Sequence, residues 1–307
     1  MRQKKKIILL AGPTASGKSK LAIKLAKYLK GEIINADSMQ VYKEMHILTS
    51  RPTLSDTKIV KHHLYGFNSV KQKFSTGMWL KMATEKIKEL WNRELIPIVI
   101  GGTGLYFKAL TDGLVKIPDI PSHIQKEVRT LHNNIGQKNF YDELIKLDPM
   151  AKKFILSTDS QRSMRAYEVK KFTKKSIFSF TKKTKPNFDD KIFKKVFIST
   201  SRELLNKKIN ERVERMFMND VLVETKSFLK MQVNKELSPN KIIGIEEIKN
   251  YLEGKISLTN AKELIKQKTR QYAKRQFTWA RGHMRSWDTI YYNNFNDLFK
   301  KVLDKTS

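Results

Sequence analysis

The sequence predicts an α/β fold, a parallel sheet flanked by helices, with a mostly helical insertion and further helices toward the C-terminus. Three observations carry that reading. Short apolar runs at residues 6–11, 31–36, 96–100 and 194–199 read as buried strands among segments of helical periodicity. Gly12-Pro13-Thr14-Ala15-Ser16-Gly17-Lys18-Ser19 matches G-x-x-x-x-G-K-[ST] at every fixed position, between the first strand and the first helix. A polar block from about 122 to 190 lies between Pro118 and Pro121 on one side and a return strand on the other. The core is therefore read as P-loop NTPase-like: residues 1–117 form its first part, 118–190 a helical insertion, and 191–307 its return with C-terminal helices.

Composition narrows the function. The chain has 307 residues and 40% apolar content, enough for a substantial core. It carries 61 Lys plus Arg against 30 Asp plus Glu, a formal net charge of +31. A polyanionic partner is the first inference; lysine spread over solvated faces is the competing one. There is no cysteine, which excludes disulfides and cysteine-based zinc sites and fits an intracellular location. The basic residues 1–6 ahead of 7–11 imitate a signal peptide, but the apolar run is too short and leads straight into the glycine loop. No segment is long enough to span a membrane, so a cytoplasmic protein without membrane partners is expected.

Taken in order, the first strand, the loop and a helix from Ser19 gather backbone N–H groups and a helix N-terminus at one point suited to a polyphosphate. Lys18 would reach terminal phosphate oxygens and Ser19 would ligate Mg2+. The motif identifies neither the phosphorylated molecule nor the reaction. The second strand ends at Asp37, beyond the carboxyl edge where ligands sit in such sheets. Asp37 can hold magnesium or act as a general base; capping the next helix is the plainer role. His62 and His63 are adjacent on a strand, so they point to opposite faces, and hydrogen-bonding roles are expected. Residues 76–93 read as an amphipathic helix with Trp79, Ala83, Ile87, Leu90 and Trp91 toward the core. The strand at 96–100 runs into Gly101, Gly102 and Thr103, where many P-loop enzymes carry a magnesium-binding Asp; its absence counts against an ordinary ATPase. In the insertion, Arg162 and Arg165 share a helical face. Residues 170–185 are very basic and include Phe172, Phe178 and Phe180, which suits RNA contact or a solvated hairpin with inward phenylalanines. After the return strand come three or four helices, the last major one a basic helix at 259–281, and a short strand at 289–292.

With these stretches in order, the chain resembles the bacterial tRNA dimethylallyltransferases (tRNA isopentenyltransferases, or IPP transferases) over nearly its whole length. The resemblance rests on the glycine loop, Asp37-Ser38-x-Gln40-Val41-Tyr42-Lys43, His62-His63-Leu64 and Gly101-Gly102-Thr103-Gly104-Leu105-Tyr106. It continues through Gln161-Arg162-x-x-Arg165-Ala166-x-Glu168, Ser201-Arg202-Glu203-Leu204-Leu205 and Arg270-Gln271-Tyr272-Ala273-Lys274-Arg275-Gln276-x-Thr278-Trp279. It implies transfer of the five-carbon group of dimethylallyl diphosphate to the exocyclic amine of the adenosine just 3′ of a tRNA anticodon, with diphosphate leaving. Gly12, Pro13, Thr14, Ala15, Ser16, Gly17, Lys18 and Ser19 would then bind the prenyl diphosphate; nucleotide, ATP above all, is the ordinary ligand of such a loop. Lys18 and Mg2+ on Ser19 would stabilise the leaving group, and Asp37 would hold the amine and take its proton. By the same resemblance Asp37, Ser38, Met39, Gln40, Thr103, Arg129, Gln161, Arg162, Ser163, Met164 and Arg165 line the tRNA path. Lys274 and Arg275 would add to tRNA or diphosphate binding, and the insertion would grip the anticodon stem-loop. The stacked adenosine should be extruded into the pocket. A monomer is expected.

Two stretches depart from the family pattern. Where M-D-I-G-T-A-K-P is usual, this chain reads Met45-His46-Ile47-Leu48-Thr49-Ser50-Arg51-Pro52; where G-Y-R/K-E is usual, it reads Gly244-Ile245-Glu246-Glu247. Altered tRNA preference is one consequence to weigh. A P-loop small-molecule kinase accounts for the loop and Asp37 but not for Gly101 to Thr103 or the charge. A non-catalytic RNA-binding module fits the charge but not the intact Lys18, Ser19 and Asp37.

Overall fold

The computed structural model describes residues 5–180, 184–292 and 294–306. Residues 1–4 of the basic start and 181–183 of the expected basic hairpin lie outside the described residues. In chain order the elements are β1 (Ile7–Ala11), α1 (Lys18–Leu29), β2 (Gly31–Asn35), α2 (Leu54–Ile59), β3 (His62–His63), α3 (Thr76–Asn92), β4 (Ile96–Gly101) and α4 (Gly104–Asp112). Then come α5 (Ser122–Leu147), α6 (Ala151–Phe154), α7 (Ser160–Thr173), β5 (Phe193–Ser199), α8 (Arg202–Met218) and α9 (Val221–Lys230). The chain ends with α10 (Ile245–Leu252), α11 (Leu258–His283), β6 (Asp288–Tyr291) and α12 (Phe295–Thr306). It divides into two compact units, Met1–Thr111 with Asn187–Ser307, and Asp112–Pro186.

The larger unit is built on one sheet of order β3-β2-β4-β1-β5-β6, every pair parallel, so the α/β expectation holds. The inner strands are buried on both faces, which is why β1, β2 and β4 read as apolar runs; the edge strands β3 and β6 are half-buried and largely exposed, respectively. The order brings the carboxyl ends of β2, β4 and β1 side by side, with Asn35 opposite Ile100 and Ala11 opposite Gly101. Asp37, Gly102 and the glycine loop therefore leave the sheet from neighbouring strands. Helix starts are set by hydroxyl caps: Ser75, Ser201 and Ser257 accept from the N–H groups of Met78, Leu204 and Asn260. In α3, Trp79, Ala83, Ile87 and Leu90 are buried as expected. Trp91 is only half-buried: its Nε1 donates to Lys6 O at 3.1 Å and its ring meets Phe188 edge-on.

Helices α2, α4 and α12 were not anticipated. The last carries Phe295, Leu298, Phe299, Val302 and Leu303 at helical spacing, and these pack into the core cluster that includes Leu21 and Leu25 of α1. The two histidines take hydrogen-bonding roles. His62 Nδ1 pairs with Val60 O at 2.8 Å, and His63 Nε2 meets Glu32 Oε2 at 2.6 Å. Burial pushes the Glu32 carboxyl up, but hydrogen bonds from Arg93 and His63 outweigh it and hold its pKa low.

The smaller unit has its own core of Leu144, Ala151, Ile155 and Ala166. Gly136 breaks α5 with φ of 73°, a conformation that costs glycine nothing. The unit opens at Asp112 and closes at Pro186, against the expected insertion at 118–190. At its neck Gly113 has φ of +87° and leaves no room for a Cβ, which would stand 2.6 Å from Lys185 O. Beyond the neck, Asn187 bonds Thr84 and Phe188 packs on Trp91 and Phe193, so these residues belong with the sheet. Phe178 packs on Phe154 with centroids 4.5 Å apart, while Phe172 stays 39% exposed. Among the described residues no helix is long and apolar enough to cross a membrane.

Candidate active site

The glycine loop lines a cavity of about 1100 Å3 in the larger unit. Gly17, in the left-handed region at φ 77°, starts α1 and turns its first N–H groups toward that cavity. Gly12 lies close against β5, where a Cβ would stand 3.0 Å from Ile198 O. Lys18 Nζ donates to Pro13 O at 3.0 Å. Burial pushes its pKa down to about 8; the Asp37 carboxylate pulls it back up, and Arg212 pushes it down further.

Asp37 is held by the buried Asn35. Its N–H donates to Asn35 Oδ1 at 2.7 Å, and Asn35 Nδ2 donates to Asp37 O and to Leu64 O, both at 2.9 Å. Its Oδ1 accepts from Met39 N at 3.0 Å, a turn bond and not a helix cap, because the next helix starts only at Leu54 with Thr53 as its cap; the residue also lines the cavity. Its charge is felt across the site. Tyr65, Tyr106 and Tyr272 have raised pKa values, first by burial and then by Asp37. Thr103 stands behind it, accepting from Ser38 N at 2.9 Å, while its own N–H donates to Ala36 O at 3.1 Å.

The structure brings Thr14 to Ser19, Asp37, Met39, Gln40 and Arg275 together around the cavity. Gln40 faces it while Nε2 holds Thr49 O at 2.8 Å and Ser50 O at 3.0 Å. Lys274, adjacent to Arg275, turns away and lines a second cavity with Arg202, Arg270, Arg281 and Arg285. Successive helical residues are about 100° apart, so the two cannot serve one site equally. Arg129 and Gln161 to Arg165 belong to the smaller unit, on α5 and α7. There Gln161 and Arg162 are exposed, whereas Ser163 is buried and donates to Asp159 O at 2.7 Å. Arg162 pairs with Asp159 at 3.4 Å and Arg165 with Glu168 at 3.1 Å. Met164 is half-buried.

Four side chains to which the sequence reading gave no role complete the site, Gln276 among them although it stands in the motif from Arg270 to Trp279. Gln276 clamps α11 to both glycine segments: its Oε1 accepts from Thr14 N at 2.8 Å and its Nε2 donates to Gly102 O at 3.0 Å. A Cβ at Gly102 would stand 2.1 Å from that Nε2, so Gly102 is small in order to admit the clamp. Arg212 Nη1 donates to Thr14 Oγ1. Lys208 Nζ donates to Tyr292 OH at 2.9 Å, which in turn donates to Ser16 O at 2.7 Å. The available signal was Lys208 and Arg212 four apart on α8, one face of one helix.

The departing stretches also find their places. Glu224 accepts from the N–H groups of His46, Ile47 and Leu48 at 2.6, 2.7 and 2.9 Å, fixing that turn. Arg51 lies over Gly66, where any Cβ would collide with its guanidinium, and burial lowers its pKa. Glu246 is exposed, while Glu247 is buried, accepts from Gly244 N at 2.9 Å and pairs with Lys268. Lys208, Arg212, Arg215 and Arg275 line the cavity wall.

The residues fit a polyphosphate. Among the described residues, Ser16 Oγ and Arg212 Nε are buried without a hydrogen-bond partner, and both belong to the cavity's lining. They fit a divalent cation less independently. Ser19 and Asp37 line the same cavity, but no group of three His, Cys, Asp or Glu that could hold a metal occurs among the described residues. Such an ion would be shared with phosphate oxygens, as Mg2+ ordinarily is.

Fold and cavity together define a P-loop protein whose phosphate site opens onto a carboxylate. Comparison with known proteins narrows the class. The family model "IPP transferase" matches residues 40–283, and the model "Isopentenyl transferase" matches residues 5–66. A tRNA dimethylallyltransferase of Pelagibacter ubique is 52% identical over 302 residues, covering 98% of this chain and 96% of the relative. One of Rickettsia bellii is 44% identical over 306 residues, covering 99% and 96%. Among solved structures, the full-length tRNA isopentenylpyrophosphate transferase of Bacillus halodurans aligns with TM-score 0.69 and 30% identity, covering 99% of this chain and 97% of that one. A eukaryotic dimethylallyltransferase acting on tRNA aligns with TM-score 0.77 and 27% identity, covering 94% and 74%. The chain belongs to the IPP transferase family, a family of prenyltransferases.

Proposed function

We propose that this chain transfers the dimethylallyl group of dimethylallyl diphosphate to tRNA, at the exocyclic amine of the adenosine 3′ of the anticodon, releasing diphosphate. The observation that carries the reading is one cavity shared by the glycine loop, with Lys18, Lys208 and Arg212 beside it, and by Asp37. The glycines after β4, with no acid there, fit a leaving diphosphate better than ATP hydrolysis.

The amine nitrogen attacks the allylic carbon, the carbon–oxygen bond to diphosphate breaks, and the amine proton passes to Asp37. An adenine amine is a weak nucleophile, so holding it in line matters more than basicity; Asp37 does this from a backbone locked by Asn35. Negative charge grows on the diphosphate, where the loop N–H groups, Lys18, Lys208 and Arg212 are already placed. Mg2+ held by Ser19 and the diphosphate would neutralise part of the same charge when bound. Tyr272 lines the cavity, and Thr103 braces Asp37 from behind through Ser38 N. The smaller unit, with Gln161 and Arg162 exposed, is read as the grip on the anticodon stem-loop. A tRNA substrate puts the work in the cytoplasm, and a cavity completed by one chain suits a monomer.

The test is a transfer assay with labelled dimethylallyl diphosphate, Mg2+ and anticodon stem-loops bearing adenosine or guanosine at the target position. Label is expected on the adenosine RNA alone, reduced at least about 100-fold by Asp37→Ala. Phosphate release from ATP without RNA labelling would replace this reading with a kinase-like one.

A further inference from the structure

The cavity wall has a direction. On α8, Lys208, Arg212 and Met216 are four residues apart and so lie in one row. Lys208 reaches Tyr292 beside the loop, Arg212 bonds Thr14, and Met216 is packed in an apolar cluster with Leu48, Ile242 and Ile265. On α11, Gln276 bonds the loop, Tyr272 and Thr269 follow, and Ile265 ends the row in the same cluster. The helices run antiparallel, since Arg270 bonds Asn210 while Lys262 and Lys266 both bond Glu214. Both rows therefore pass from cationic and polar beside the glycine loop to apolar at the cluster of Leu48, Met216 and Ile265, with Arg215 and Lys241 at the margin of the same lining. That gradient suits a molecule with a diphosphate head and a hydrocarbon tail.

Leu48 stands at the apolar end. It lines the cavity, is 5% exposed, and its Cδ2 would be 2.5 Å from a Cβ at Gly244, so it is seated in the notch that glycine leaves. Its turn cannot easily swing away. Glu224 holds three N–H groups, Gln40 holds Thr49 O and Ser50 O, and Thr49 Oγ1 donates to Met45 O at 2.5 Å.

We propose that Leu48, backed by Met216, is the chain-length stop of the donor site and sets the preference for a five-carbon over a ten-carbon allylic diphosphate. The inference rests on the prenyl-transfer reading. Five further carbons need about one more helical turn of wall, and Leu48 and Met216 stand together on the lining at the apolar end.

The experiment measures kcat/KM for dimethylallyl and geranyl diphosphate on the same stem-loop, for wild type, Leu48→Ala, Leu48→Val and Met216→Ala. The geranyl-to-dimethylallyl ratio is expected to rise ~10-fold or more in Leu48→Ala and Met216→Ala, the scale of discrimination by apolar pocket volume, and less in Leu48→Val. An unchanged ratio in every variant that still transfers the five-carbon group overturns the proposal. Wild type that transfers neither group overturns the underlying reading instead. Cuts at two positions and of two sizes leave a decision if one variant does not fold.

Discussion

Lys18, half-buried on the wall of the cavity, shows how one ammonium links stability, pH and ligand. Its pKa falls from the ordinary 10.5 to about 8 because burial strips its solvent. Between those values the unfolded chain binds more protons than the folded one, so the stability of the ligand-free protein should rise as pH climbs from about 8 toward 10.5. The shift alone would be worth on the order of 3 kcal/mol, and solvent reaching the half-buried ammonium from the cavity reduces it below that. Diphosphate needs the protonated lysine, so its affinity should move the other way and weaken above about pH 8, by up to about tenfold per unit. Lys18→Met should flatten both trends. Thermal melts from pH 7.5 to 9.5 and calorimetric titration with diphosphate over the same range check this; parallel curves for wild type and variant would show that Lys18 is not the titrating group.

At the scale of elements, α11 is the strut that makes the cavity, and Gln276 is where it is bolted. Gln276→Ala leaves Thr14 N and Gly102 O, both bonded to it now, without partners in a tight space. Each loss costs about 1–3 kcal/mol, and a unit of this size should melt several degrees lower. Donor KM should rise more than kcat falls, because the loop loses its brace while Asp37 keeps Asn35; an unaltered KM would refute the clamp. This bolt also marks where the sequence stops being legible. The loop, Asp37 and Gly101 to Thr103 could be read because each follows a strand, and the carboxyl ends of parallel strands converge on one edge whatever else the chain does. Gln276, Lys208 and Arg212 lie on basic amphipathic helices, where the face turned to the cavity depends on how each helix docks. Lys274 and Arg275 are neighbours in sequence that face different cavities for the same reason. Tyr292 reaches Ser16 from the end of β6, across the sheet's edge order. Helix α12 was legible, from Phe295, Leu298, Phe299, Val302 and Leu303, but followed a strand that looked like the end of the fold.

For the whole molecule, the question raised by a net charge of +31 is whether the excess is concentrated or dispersed. Part is dispersed in surface pairs such as Lys146 with Glu143 and Lys301 with Asp297, which add little to stability. Part is concentrated. Five cations, Arg202, Arg270, Lys274, Arg281 and Arg285, line the second cavity with no Asp or Glu among its lining residues. A polyanion meeting that surface releases counterions, so the logarithm of RNA affinity should fall linearly with the logarithm of salt concentration. Lys274→Glu and Arg281→Glu should weaken RNA binding at low salt, and each should reduce the slope by about one. They should leave the KM for the prenyl donor nearly unchanged, because neither residue lines the phosphate cavity. Filter binding of a stem-loop from 50 to 300 mM KCl reads the slope, and transfer at saturating RNA reads the donor KM. A slope untouched by both reversals would return the excess charge to solvated lysine; a donor KM that rises with them would mean that the two cavities are electrostatically one.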